Sequence, residues 1–275
     1  MGEKLKISYT RASTFLHCRQ KYHWEYIENL TPIKKSRPLK VGGLVHSLLH
    51  TKLVKPHITQ FDVNFTMDAA RTDYPGDDEG ELASVALEAT ILVNGYLEKY
   101  KDDPLTVVPG ETMLEADMGE YTLIGRSDAY ARTEDTKLWR MEHKTMSRLD
   151  SNYLQGLKSG LQGGIYDYLT ERLFNEEVSG TIYNLIVKTK IPNYHRSFTK
   201  CDRGAIQRML QTIHGVHRDI QRGDFYPSSK CYSFASVCPF KVLCEFDSPG
   251  AREAFFTRRK EVTDDTELKD GDSTE

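Results

Sequence analysis

The stretch LWRMEHKTM, residues 138–146, sets a carboxylate (Glu142), an imidazole (His143) and an ammonium (Lys144) in succession behind a tryptophan and a methionine. On an extended strand, side chains alternate between faces, so Glu142 and Lys144 share one face while Met141 and His143 share the other. Fourteen residues upstream, GRSD supplies Asp128 in an earlier run with strand character. A hairpin between the two runs would bring Asp128 and Glu142 together, two hard oxygen donors suited to Mg²⁺ or Mn²⁺. Lys144 would then orient or help deprotonate a bound water, or neutralise charge developing on a phosphate. That is the chemistry of metal-dependent phosphodiester hydrolysis. The same spacing also fits two charge pairs across a solvated sheet face, because acids are common there.

Other residue types carry chemistry elsewhere. Five cysteines are present, and Cys231, Cys238 and Cys244 fall within fourteen residues, which in a reducing compartment points to a metal or cluster before disulfides. Buried reduced thiols are the plain alternative, and Cys201, outside this group, reads as an ordinary thiol. GGLVH places His46 on a helix, with His50 one turn on as its competitor; a lone histidine among apolar residues is often simply packed. LQGGIY places Gln162 and Tyr166 four apart on one helical face, an arrangement a polar helix surface also shows.

These residues need elements to position them. TRASTFLHCRQKYHWEYIE, residues 10–28, has good helix formers and no Pro or Gly, and predicts one helix; LKVGGLVHSLLHTKLV predicts a second. MDAARTDYPGDDEGE reads as an acidic loop with a boundary or insertion near 68–80, followed by a helix over 82–100. Three runs with strand character, TVVPGETMLEADM, YTLIGRSDAYART and KLWRMEHKT, predict an antiparallel meander. Helical patterns over 150–175, a β-rich GTIYNLIVKTK and a helix over 202–221 complete a mixed α/β pattern.

The chain has 275 residues, 39% of them hydrophobic, enough for a buried core. No run approaches a membrane span and the first residues lack a signal-peptide pattern, so a cytoplasmic setting is expected. The formal net charge is -3, but residues 261–275 hold seven acids and one lysine; without them the balance is about +3. Residues 1–40 carry nine Lys/Arg against three Glu. Such a surface allows a polyanionic partner. The acidic tail is expected to be disordered, having too little apolar surface to offset ordering. No GxxxxGK[ST] loop is present, so any helicase action falls to a partner.

GRSDAYARTEDTKLWRMEHKT resembles the core of the PD-(D/E)XK nuclease superfamily, in which an Asp on one strand is followed by Glu-x-Lys on the next. The Gly-x-x-His of GGLVH and the Gln-x-x-x-Tyr of LQGGIY resemble its RecB-like branch, as does Glu115 in MLEADM. Cys18 with Cys231, Cys238 and Cys244 resembles the iron-sulfur staple of the CRISPR-adaptation and AddB-type nucleases of that branch. These features recur in order from residue 18 to residue 244, nearly the whole chain.

The resemblance implies a restriction-endonuclease-like core, a mixed sheet with flanking helices, over 106–225. It is preceded by an N-terminal helical region (1–105) and followed by a cysteine-rich segment (226–258) and the acidic tail (259–275). It implies Asp128, Glu142 and Lys144 as catalytic residues and metal held by His46, Asp128, Glu142 and the His143 carbonyl. Gln162 and Tyr166 would hold DNA, and Glu115 would lie near the metal. A 4Fe-4S cluster or zinc would sit on the four cysteines. Tyr22, Trp24 and Tyr26 would either stack on unpaired bases or pack in the core. The expected activity is Mg²⁺- or Mn²⁺-dependent DNA cleavage, as an exonuclease on single strands or ends, with a helicase or recombination protein as partner. The rival is a non-cleaving DNA-binding subunit of a recombination or packaging complex, and RNA or nucleotide hydrolysis would use the same metal chemistry.

Overall fold

Near its start the chain forms β1 (Leu5–Ile7) and α1 (Tyr9–His17), the helix capped by the Ser8 hydroxyl accepting the Arg11 N–H. The single helix expected over 10–28 is broken at Cys18, whose backbone is extended. The chain resumes as α2 (Arg19–Tyr22) and a π-helical turn, His23–Ile27. The break has a local cause: Cys18 caps α2, its Sγ accepting the Lys21 N–H at 3.4 Å. The structure, a computed structural model, describes residues 4–110, 113–233 and 236–259. The expectation for the acidic tail falls on residues 260–275, outside the described residues.

After β2 (Leu30–Pro32) come α3 (Arg37–Val54), α4 (Val63–Asp73) and α5 (Glu79–Lys99). The loop expected near 68–80 shrinks to the turn between α4 and α5. Asp62 caps α4, and Thr66, Met67 and Ala70 bury one face of it, which outweighs the acidic composition that suggested a loop. The three helices share an apolar core that includes Leu44, Leu48, Val85, Ala89 and Val93.

The expected meander becomes two sheets. Its segments are β3 (Thr106–Pro109), β4 (Met113–Asp117), β5 (Tyr121–Arg126), β6 (Ala129–Arg132) and β7 (Leu138–Met146). The first two predicted runs each split in two: β4 and β5 pair with β1 in the order β1-β5-β4, while β3, β6 and β7 enter a five-stranded sheet. Gly110 marks the split. A Cβ there would lie 2.4 Å from the Ser127 carbonyl oxygen and 2.7 Å from the Ala129 nitrogen, so only glycine lets the two chains cross.

From β7 the chain passes through α6 (Ser151–Ser159) and α7 (Leu161–Phe174) to β8 (Thr181–Val187), which pairs parallel to β7; β9 (Asn193–Thr199) then pairs antiparallel to β8. The sheet order is β3-β6-β7-β8-β9. Strands β7 and β8 are buried along almost their whole length, as parallel strands covered on both faces must be. Ile186 of β8 faces the α3–α5 core, while Tyr183 and Leu185 pack with Leu157 of α6. The mixed α/β architecture with flanking helices expected from the sequence is therefore the one observed.

Helix α8 (Arg203–Arg222) leads to the C-terminal segment: β10 (Tyr232–Ser233), β11 (Ser236–Val237), α9 (Lys241–Glu245), α10 (Pro249–Phe255) and β12 (Phe256–Arg258). Strand β12 pairs antiparallel with β2, and the Trp24, Phe240 and Phe256 rings stack in series. The first 105 residues are thus woven into later ones, β1 through β5 and β2 through β12. Among the described residues no helix is long and apolar enough to cross a membrane.

Candidate active site

Strand β7 presents different chemistry on its two faces. Toward α7 it carries Arg140, Glu142 and Lys144, all buried. Glu142 is fully enclosed, and taking a carboxylate out of water costs several kcal/mol unless charge and hydrogen bonds compensate. Compensation comes from three sides: the Arg140 guanidinium meets Glu142 Oε2, Lys144 Nζ lies 3.4 Å from Oε1, and Gln162 Nε2 donates to Oε1 at 3.0 Å.

Arg140 is itself held by Thr181 at 3.0 Å and by Asp167 at 3.7 Å, between the rings of Tyr166 and Tyr183. Burial alone would favour losing its proton, but the negative charges of Glu142 and Asp167 hold it firmly cationic. Asp167 shows the converse: burial raises its carboxyl above the usual range, against the pull of Arg140.

Gln162 reaches Glu142 because α7 lies unusually close. A Cβ on Gly163 would stand 3.2 Å from the Tyr183 hydroxyl, and one on Gly164 would stand 2.0 Å from Met209 Sδ. The two glycines of LQGGIY therefore seat the helix between β8 and α8. Tyr166 and Gln162 are both buried, Gln162 donating to Glu142 and the Tyr166 ring lying by Arg140, so both touch the charges of this site.

On its other face β7 presents His143 toward α5. The hairpin predicted between the strand runs is formed: β6 pairs antiparallel with β7, Ala129 opposite Met141, and one step further Asp128 stands across from Glu142. The Asp128 carboxylate, however, is turned to the His143 side. Its Oδ2 accepts the His143 backbone N–H at 2.6 Å and lies 3.3 Å from His143 Nδ1, and its Oδ1 lies 3.3 Å from His46 Nδ1. Burial opposes ionisation of Asp128, but His46 and the His143 hydrogen bonds prevail and hold its pKa well below the usual carboxylate range. His46, not its competitor His50, is the α3 histidine that meets Asp128. Asp128 and His46 are the open side of this cluster, their side chains 22% and 24% exposed.

The donor chemistry fits a hard divalent cation: two carboxylates with an imidazole beside them. Each carboxylate is engaged by protein partners, and among the described residues no three or more His, Cys, Asp or Glu side chains are arranged to hold a metal ion. The Glu142 side chain lies on the opposite face of β7 from the Asp128 carboxylate, so holding one cation at both would require Glu142 to leave Arg140 and Lys144 and turn toward the Asp128 side.

Two expectations do not match the geometry. Glu115 lies on β4 in the other sheet, exposed and paired with Lys6 at 3.5 Å, so the acid expected near the metal is a surface residue. Tyr22 and Trp24 are core residues, Tyr22 against Phe15 and Phe225 and Trp24 against Phe240, and the Tyr26 ring leans on Tyr22. The packing alternative holds for these aromatics because the turn they occupy faces inward, leaving no ring free to stack on bases.

The cysteines converge from both ends of the chain. Cys231 and Cys238 flank the β10–β11 hairpin one step outside its Tyr232–Val237 pair, and the Cys238 N–H donates to the Cys231 carbonyl at 2.8 Å. Cys18 is buried; burial would raise its thiol, but hydrogen bonds from the Lys21 backbone and from Ser228 lower it. Cys244 shows the opposite: burial, then the nearby thiols of Cys231, Cys238 and Cys18, push it up to about 11. Cys238 is raised too, first by burial and then with Cys18 and Cys231 nearby, and none of the four is in a disulfide.

Sequence reasoning missed Arg140, Asp167, Tyr183, Asn184 and Arg196. Arg140 alone had a usable signal, since it lies two residues before Glu142 and shares its face.

A family model described as the PD-(D/E)XK nuclease superfamily matches residues 6–245. Among solved structures, a Eubacterium rectale protein named as a candidate exonuclease superposes with a TM-score of 0.54 at 15% identity, over 85% of this chain and 86% of its own. That likeness is one of fold. SSO0001 (18% identity, 61% of this chain and 84% of its own) and VC1899 of Vibrio cholerae (12%, 74% and 60%) superpose with TM-scores of only 0.28 and 0.23 and carry no argument. A search of curated proteins finds no match.

Proposed function

The chain belongs to the PD-(D/E)XK nuclease superfamily, and on that premise we propose that it is a Mg²⁺- or Mn²⁺-dependent deoxyribonuclease, acting as an exonuclease on single strands or DNA ends. The observation that carries this reading is the charged cluster where β6 pairs with β7: Asp128 meets His46 and His143, and Glu142 with Lys144 beside it lies on the adjoining strand.

Asp128, Glu142 and His46 would hold the cation, with the His143 carbonyl as a further donor. The cation supplies Lewis acidity toward the phosphate and a water of lowered pKa. Lys144 positions that water's oxygen and neutralises charge growing on the phosphate. Gln162 fixes the rotation of the Glu142 carboxylate through its amide N–H, and Arg140 pairs with that carboxylate where it is enclosed. The Tyr166 ring, its centroid 5.0 Å from the central carbon of Arg140, covers the guanidinium.

The four cysteines would hold a 4Fe-4S cluster, or zinc in its place, fastening the α1–α2 junction to the C-terminal segment. Soft thiolates suit either group. Iron assay and visible absorption of anaerobically purified protein decide between them; colourless protein with stoichiometric zinc removes the cluster and keeps the staple. DNA is the proposed partner, with a helicase or recombination protein supplying any motor.

Digestion of labelled single- and double-stranded DNA with Mn²⁺ tests the activity. Wild type should cleave and Glu142→Ala should not. Equal inactivity of both on every substrate would leave the second reading, a non-cleaving DNA-binding subunit, which the enclosure of Glu142 by Arg140 specifically favours.

A further inference from the structure

The His143 ring lies on the opposite face of β7 from Glu142 and is almost fully enclosed, yet both its nitrogens have polar neighbours. Nδ1 faces Asp128 Oδ2 at 3.3 Å. Nε2 faces the Tyr96 hydroxyl at 3.3 Å and the Asn184 side-chain amide at 3.5 Å. A neutral imidazole donates from one nitrogen and accepts at the other, so these neighbours decide where the proton sits.

Asn184 is fully buried on β8, directly opposite His143 in the parallel ladder. Its Oδ1 accepts from Arg196 Nε at 2.7 Å. A guanidinium only donates, so the oxygen of Asn184 must face Arg196 and its NH₂ must face His143. Arg196 is fixed in turn by Asp103 at 2.6 Å and by the Tyr100 ring 4.1 Å beneath its central carbon. Its charge also acts on the Tyr96 hydroxyl, which favours that O–H pointing away from Arg196 and toward Nε2.

Two donors therefore converge on Nε2, which must accept, and the ring proton is left on Nδ1, aimed at Asp128. We infer that His143 is a positioning residue: an Asp103–Arg196–Asn184 chain locks its Nδ1–H tautomer, and that N–H, with the backbone N–H of the same residue, clamps Asp128 Oδ2. Oδ1 is then turned to His46 and the open side of the cluster, where a cation would enter. The one lone pair of the His143 ring, on Nε2, is then engaged by Asn184 and Tyr96 on the side away from Asp128. The inference rests on Asp128 being a metal ligand, and it names what orients that ligand. Groups that orient metal ligands typically change affinity by about 10- to 100-fold when altered.

The test reads the tautomer directly. Long-range ¹H–¹⁵N correlation on histidine-labelled full-length protein, metal-free and at a pH where the ring is neutral, should show His143 protonated at Nδ1, with His143→Phe supplying the assignment. Protonation at Nε2 overturns the inference. Asn184→Asp puts an acceptor against Nε2. It should move the ring proton there and weaken Mn²⁺ binding, followed by paramagnetic resonance without DNA, by about 10-fold or more. A folded Asn184→Asp protein with unchanged tautomer and Mn²⁺ affinity overturns it too; if that variant does not fold, the wild-type tautomer decides. The DNA digestion is separate: an inactive protein with the Nδ1–H tautomer sinks the nuclease reading and keeps the clamp, while an active one with the Nε2–H tautomer sinks the clamp alone.

Discussion

Strand β7 and the cysteine junction both join distant parts of the chain, but by opposite means. At β7 the contacts are buried and charged: Glu142, fully enclosed, meets Arg140, Lys144 and Gln162. At the junction the thiols are one tie among several. The β2–β12 ladder, the Trp24–Phe240–Phe256 stack and the Arg252 ion pair with Glu28 join the same two segments. A buried charge makes a site sensitive to the loss of one partner; several independent ties between the same two segments make a junction tolerant.

The largest effect expected from this contrast is on cleavage. Glu142→Ala should reduce it to background, and Lys144→Ala should lower the rate by about 10²- to 10³-fold, measured with Mn²⁺ on labelled DNA. Next comes stability. Arg140→Met strands the Glu142 charge and should cost roughly 3–5 kcal/mol in urea unfolding, while the double substitution Arg140→Met with Glu142→Leu should recover much of it. Full additivity of the two costs would show that the pair is not coupled.

Cys18→Ser should abolish iron or zinc binding and yet leave the chain ends joined, visible as unchanged protease resistance of residues 236–259. Cleavage there on loss of Cys18 alone would show that the staple, not the ladder and the rings, carries the junction.

A smaller effect separates two of the junction thiols. In metal-free protein the Cys244 thiol, held up to about 11, stays protonated through neutral pH, so its alkylation rate should keep rising toward pH 11. Cys18 is held below its ordinary value and should reach its plateau at lower pH, whatever its absolute rate behind partial burial. Reversed midpoints would mean the junction lacks the thiol proximity described here. Least of all should follow from Glu115→Ala. Its pair with Lys6 is exposed, so about 0–1 kcal/mol and no loss of cleavage are expected; a large loss of activity would restore it to the active site.

The hairpin between the strand runs that carry Asp128 and Glu142 was legible because alternation and a short connection fix relative position over a short span. Helix α3 with its Gly-x-x-His, and the helical patterns followed by a β-rich run after β7, were legible for the same local reason. The split of the meander at Gly110 was not, because it depends on a crossing with Ser127 and Ala129 that no local pattern reveals. Nor was α4, where buried Met67 and Ala70 outweigh an acidic, loop-like composition.

By itself, then, the sequence determined which side chains share a face and which chemistry they are capable of, because alternation and helical repeat are properties of the backbone. Only the tertiary structure decided who compensates whom. Arg140 closes on Glu142 because Asp167 and Thr181 hold it from behind, and Asp128 turns to His46 and His143 instead of Glu142. Gln162 and Tyr166 pack against the charges of the site. Those outcomes depend on the dielectric and closeness of a packed interior, which arise only when α7, β8 and α5 are brought against β7.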